Sequence, residues 1–172
     1  IWYRNGKRIN QMKKHEKRGG DIFWNCLELC CISPSSALIE KSLFEDFGLF
    51  DEELPACEDY DMWLRISALE PILFVEEPLT IKHGGHKDQL SKKYWGLDRF
   101  RIKALEKILV EKRLTSKQET SAIAMVICKL KIVINGAKKR NNRNVIEQYS
   151  KKLQNWESNF AKTRDSGLRL YE

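Results

Sequence analysis

The chain has 172 residues, enough for one domain with a real core or one domain plus an extension. At 42% hydrophobic and 32% charged residues it is too apolar to be a disordered chain. The net charge of +7 is uneven: residues 40–77 hold twelve acids against Lys41 and Arg65, which argues against a uniform polyanion binder.

Five cysteines, Cys26, Cys30, Cys31, Cys57 and Cys128, form an odd set without framework spacing. They read as reduced thiols, and the expected location is cytoplasmic. The chain opens on Ile1 in mid-pattern, so it reads as a piece of a longer protein.

In chain order, Asn5-Gly6 between apolar flanks predicts a hairpin-like turn. Residues 11–20 read as a basic loop or short helix stopped by Gly19-Gly20. Apolar residues at helical spacing from Ile22 to Cys30 follow Asp21, a candidate N-cap. Pro34 argues against a continuing helix, and 36–39 is expected to be extended. A short helix is predicted over 41–47, ended by Gly48. A second is predicted over 58–69, with Met62, Trp63, Ile66 and Leu69 as one apolar stripe. Residues 71–83 are strand-like and broken by Pro78, and a Gly-rich loop follows.

After Leu90 the texture becomes helical, with segments expected over 90–112, 116–138 and 142–160. Thr115 or Ser116 is the candidate cap of the second, and Asn135-Gly136 its candidate end or break. The apolar run "SAIAMVICKLKIVI", interrupted by Lys129 and Lys131, reads as too short to span a bilayer. The fold class is α/β: a mixed sheet with flanking helices over 1–90, then a basic helical extension over 91–172.

The stretch "CEDYDMWLR" crowds Glu58, Asp59 and Asp61 into one helix start. Acids there are favoured by the helix dipole, each by about 0.3–1 kcal/mol. With roughly 100° of rotation per residue, Asp61 and Arg65 become i,i+4 neighbours, a pair read as lying on the surface. Glu58 lies on the side of Asp61. Asp59 turns towards Trp63, Ile66 and the buried face. A carboxylate at the head of an apolar stripe, lining a cleft, can take a proton from a substrate hydroxyl.

The wider pattern runs from a Ser-rich segment through Phe44-Glu45-Asp46-Phe47-Gly48-Leu49-Phe50-Asp51-Glu52. It ends on Glu58-Asp59-Tyr60-Asp61-Met62-Trp63-Leu64-Arg65. In order, spacing and aromatic positions it resembles the second half of the catalytic domain of family-2 glycosyltransferases, the inverting enzymes of the GT-A fold. The resemblance covers about residues 1–90. It implies a partial GT-A-like sheet, Asp59 as general base, Glu58 orienting it or touching the acceptor, Trp63 packing behind it or flooring the acceptor site, and Tyr60 at the acceptor site. It implies a nucleotide-diphosphate sugar donor, UDP-linked or another, and a carbohydrate, lipid or protein acceptor. A divalent metal, magnesium or manganese, is implied on an Asp-x-Asp motif. The sole Asp-x-Asp here, Asp59-Tyr60-Asp61, belongs to the base motif, so the metal motif and the nucleotide-binding strands are expected upstream of Ile1. The 172 residues alone are therefore expected to lack transferase activity.

In "HGGHKDQLS", two glycines let the backbone approach a ligand. The resemblance places His86, and less closely His83, near the donor diphosphate or metal. Cys30, Cys31, Cys57, His83 and His86 lack zinc-knuckle spacing. Ser35 and Ser36 have no base nearby, and "HEKRGGD" is not a P-loop. The basic cluster "GAKKRNNR" at 136–143 suits peripheral contact with anionic lipid, while nucleic acid is not an expected partner. The other reading of the chain is a non-catalytic, basic helical interaction module on a degenerate transferase scaffold.

Overall fold

Asn5 and Gly6 both have positive φ, 50° and 76°, as in the two-residue turns whose twist matches that of their strands. The turn joins β1 (Trp2–Arg4) to β2 (Lys7–Ile9), paired antiparallel with Trp2 opposite Ile9. β3 (Lys82–Gly84) runs parallel to the other side of β1, with Trp2 beside Lys82. The sheet is thus mixed, in the order β2-β1-β3. This computed structural model describes residues 1–10, 15–84 and 93–168, with side chains up to Ala161. The chain forms two compact units, Ile1–Trp95 and Gly96–Glu172, dividing a few residues beyond the 90/91 boundary read from the sequence.

In the first unit, α1 (Phe23–Glu28) packs on α3 (Glu58–Ser67), and α2 (Lys41–Phe47) packs on the same helix. The core between them holds Phe23, Cys26 and Leu27 from α1 and Tyr60, Met62, Trp63, Leu64 and Ile66 from α3. The helix expected to continue through Cys30 stops at Glu28, and Leu29 is extended. Pro34 bars the helical region to Ser33, which is also extended. Pro34–Ser36 forms a short 3-10 turn that takes in the first residue of the extended run expected over 36–39, and the backbone is extended at Ala37 and again at Glu40.

Of the strand expected over 71–83, only the ends pair. Ile72 and Gly20 exchange backbone hydrogen bonds of 2.7 and 3.0 Å, and Lys82–Gly84 forms β3. Leu73, Phe74, Val75, Leu79 and Ile81 between them are exposed. A Cβ on Gly19 would stand 2.8 Å from the Ile72 carbonyl oxygen and 2.9 Å from the Phe74 Cβ. Only glycine permits that backbone approach.

Asp61 and Arg65 form a pair inside this unit, not on its surface. Arg65 donates from Nε at 3.0 Å and from Nη2 at 2.8 Å to Asp61 Oδ2. Its Nη1 donates to the Phe47 carbonyl and its Nη2 to the Leu49 carbonyl at 2.9 Å. Asp61 is 1% exposed and Arg65 6%. Helical periodicity correctly made the two residues neighbours. The loop after α2 covers the face that they occupy. Gly48, at φ 76°, carries the loop over the guanidinium.

The second unit contains α4 (Asp98–Val110), α5 (Ser116–Lys139) and α6 (Arg143–Leu168). The first of these follows Gly96 at φ 61°; of the segment expected over 90–112, residues 90–92 lie outside the described residues. Thr115 Oγ1 accepts from Gln118 N at 3.3 Å and Gln118 Oε1 accepts from Thr115 N at 2.9 Å, a complete capping box. Asn135-Gly136 does not break α5, which runs on to Lys139. At 24 residues α5 is longer than the apolar run suggested, and by length and composition it reaches the measure of a membrane span. Its packing against both α4 and α6 gives the apolar face a partner within the unit. Asp98 takes ion pairs from Arg101 at 2.9 Å and Lys129 at 3.4 Å. Glu106 accepts from Lys152 at 2.7 Å and from Trp156 Nε1 at 3.0 Å.

Two stability measurements test these features. Arg65→Met strands the Asp61 carboxylate and two carbonyls in the interior, and should cost about 3–5 kcal/mol in urea unfolding. Replacing Asp61 and Arg65 together by apolar residues should cost less than this single change. Burial holds Lys129 below its ordinary value of 10.5, with Asp98 acting in the opposite sense. Below 10.5 the unfolded chain therefore binds more protons than the folded one, so unfolding free energy rises with pH towards 10.5 and levels off above it. Lys129→Met should flatten that alkaline rise in a series of thermal melts.

Candidate active site

α3 begins at a residue of unusual backbone. Cys57, its N-cap, has φ 66° and ψ 21°, in the left-handed region. Such a conformation is uncommon for a residue with a Cβ and tends to occur where function fixes the chain. It delivers Glu58, Asp59 and Asp61 into the first turn.

Asp59 is half-buried. Its Oδ2 accepts from the Cys30 thiol at 3.1 Å, and its Oδ1 accepts from the Tyr60 backbone N–H at 2.7 Å. Both donors are neutral. A carboxylate has about four lone-pair sites, so this leaves it capacity for a further proton or hydroxyl. Glu58, beside it, is also half-buried. Cys30 sits 3.1 Å from the Ile32 carbonyl as well. Burial, followed by the neighbouring Asp59 charge, pushes its thiol up. Cys31 moves the other way: the Cys26 thiol hydrogen-bonds it and Lys17 stands close, so its thiol is lowered. The same hydrogen bond, with burial, raises Cys26.

The other expected site residues are placed differently. Tyr60, expected at the acceptor, is 1% exposed, and its hydroxyl donates to the Leu27 carbonyl at 2.7 Å. It fastens α3 to α1. Trp63, expected to pack behind the base or floor the acceptor site, is buried with its ring edge-on to Phe50 at 6.5 Å. Its Nε1 has no hydrogen-bond partner among the described residues. Packing on a core face accounts for both aromatic positions. His83 is exposed on β3 and stacks on Tyr3, with ring centroids 5.6 Å apart. His86 lies outside the described residues.

Among the described residues no group of three or more His, Cys, Asp or Glu side chains is arranged to hold a metal ion. Of the carboxylates flanking Asp59, Asp61 is committed to Arg65.

Sequence reasoning missed one group on Asp59, Cys30, and two cations, Lys17 and Lys82, on the segment that Cys30 begins. Cys30 was read as a helix residue and reaches the carboxylate only because the helix ends early. Lys17 and Lys82 come from segments remote from each other and from Asp59 in the chain. No spacing rule links such positions.

No protein-family profile matches the chain, and no solved structure does. Among curated proteins it is similar to an uncharacterized glycosyltransferase of Rickettsia felis, 43% identical over 62 residues. Like-named proteins of Rickettsia conorii and Rickettsia bellii are 41% and 40% identical over the same length. The matches cover 36% of this chain and only about a tenth of each relative. Over that stretch the chain is related to proteins named as glycosyltransferases.

Proposed function

We propose that the chain is part of an inverting glycosyltransferase in which Asp59 is the general base. The observation that carries this is the Asp59 carboxylate: half-buried, hydrogen-bonded among the described residues only by neutral groups, and set at a strained helix start. The relatives' names supply the reaction class, a sugar donor and an acceptor in general terms. The family-2 resemblance supplies the finer reading of a nucleotide-diphosphate sugar.

In this reading the acceptor hydroxyl lies against Asp59. Its oxygen forms a bond to the anomeric carbon as the carbon–oxygen bond to the diphosphate breaks. The hydroxyl proton passes to Asp59, and the bonding pair leaves with the diphosphate. Attack opposite the leaving group inverts the centre, so no covalent enzyme intermediate forms. Proton transfer to a positioned base contributes about 10²–10⁴ in rate. Glu58 flanks the base. Tyr60 and Trp63 act through packing, by fixing the rotation of α3. The donor and its magnesium or manganese ion belong, in the same reading, to parts of the protein beyond these 172 residues.

The test is sugar transfer by the full-length protein over a panel of nucleotide sugars. Asp59→Asn should lower turnover by about 10²-fold or more while the unfolding transition stays in place. An Asp59→Asn protein with full activity removes Asp59 as base. The 172-residue chain on its own should transfer no sugar.

A further inference from the structure

The segment 30–33 touches Asp59 through Cys30 and two lysines through Cys31 and Ser33. Cys30 donates to Asp59 Oδ2 at 3.1 Å. One residue on, the Cys31 carbonyl accepts from the Lys17 ammonium. Ser33 Oγ lies 3.1 Å from the Lys82 ammonium, which also stands over the Trp2 ring at 5.4 Å from its centroid. Lys17 comes from the basic loop before α1 and Lys82 from β3. Two distant segments therefore bring their cations to one short stretch beside the proposed base.

Neither lysine makes an ion pair among the described residues. Their hydrogen-bond acceptors are a carbonyl and a hydroxyl, both neutral. The titratable groups that act on Lys17 are Lys82 and the thiols of Cys30, Cys31 and Cys26, while Glu28 acts on Cys31. Lys17 is half-buried, and burial first, then the Lys82 charge, holds it below its ordinary value. Lys82 is exposed, and its charge disfavours that on the half-buried Lys17. An anion bound between them removes that repulsion and gains charge-assisted hydrogen bonds from both. Lysine ammonium groups suit a compact phosphate oxygen, to which they bind as point charges.

We propose that Lys17 and Lys82 form an anion subsite beside Asp59, which selects an acceptor carrying a phosphate group. The assignment to the acceptor rests on the reading of Asp59 as base. The base touches the acceptor hydroxyl, so an anion held on the segment that contacts the base belongs to the same molecule. The Trp2 ring, with His15 at 5.6 Å, forms an aromatic wall next to Lys82.

The test is a titration of the 172-residue protein with glucose 6-phosphate at constant ionic strength, read by backbone amide shifts at Cys31, Ile32 and Ser33. Saturable shifts are expected, with none from glucose. Lys17→Gln and Lys82→Gln should each weaken binding at least 5-fold, and Lys17→Arg and Lys82→Arg should retain it, with circular dichroism unchanged throughout. Unchanged binding in both Gln variants overturns the subsite. UDP moving the same amides at tenfold lower concentration assigns the anion to the donor and overturns the acceptor claim. Asp59→Asn should bind glucose 6-phosphate as well as the parent or better. The subsite and the base can therefore fail separately: the first in this titration, the second in the transfer assay.

Discussion

The first unit depends on one buried ion pair. Arg65 spends its donors on Asp61 and on the carbonyls of Phe47 and Leu49. The loop after α2 is thereby tied to the middle of α3. A second tie, from the Tyr60 hydroxyl to the Leu27 carbonyl, holds the same helix to α1. Successive helical residues rotate by roughly 100°. Once residue 60 faces α1 and residues 61 and 65 face the loop, the helix cannot turn about its axis. The direction left to Asp59 is towards segment 30–33, where Cys30 meets it. The position of the proposed base follows from contacts made by its neighbours.

Local features of this fold were legible in the sequence because they are decided locally. The Asn5-Gly6 turn, the Thr115 cap and the start of α3 at Glu58 depend on residues within a few positions of one another. Periodicity also identified Asp61 and Arg65 as neighbours. It could not reveal that a loop covers them, because helical spacing says which residues share a face and not what lies over it. Position 30 failed for a related reason. Its apolar spacing continues that of α1, but the backbone leaves the helix at Leu29 and the cysteine turns to Asp59. Residues 71–83 have strand composition, yet a strand needs a partner, and among the described residues only Ile72 and Lys82–Gly84 have one.

The second unit changes how its positive charge is read. Lys129 lies inside, paired with Asp98, and Lys131 and Lys152 reach Glu157 and Glu106. These cations are engaged within the helical unit and add little to an outward field. Lys138, Lys139, Arg140 and Arg143 are instead exposed around the turn from α5 to α6. A contact with an anionic surface would therefore draw on that turn and not on the helices as a whole.

Asp59 and Asp61 show why carboxylates two residues apart in one helix turn are suited to different work. Asp61 Oδ2 receives two N–H bonds from a guanidinium, and both partners are shielded from water. That carboxylate is committed to anchoring the loop, and taking it away would leave Arg65 charged and buried. Asp59 has no such counter-charge directly bound. Its thiol and amide donors are neutral, and a proton arriving from an acceptor hydroxyl would leave the helix anchors in place. The positive charge of Lys17 and Lys82 is held one to three residues further along segment 30–33, bound to Cys31 and Ser33. That separation allows an anion to be gathered close to the base without neutralising the base itself.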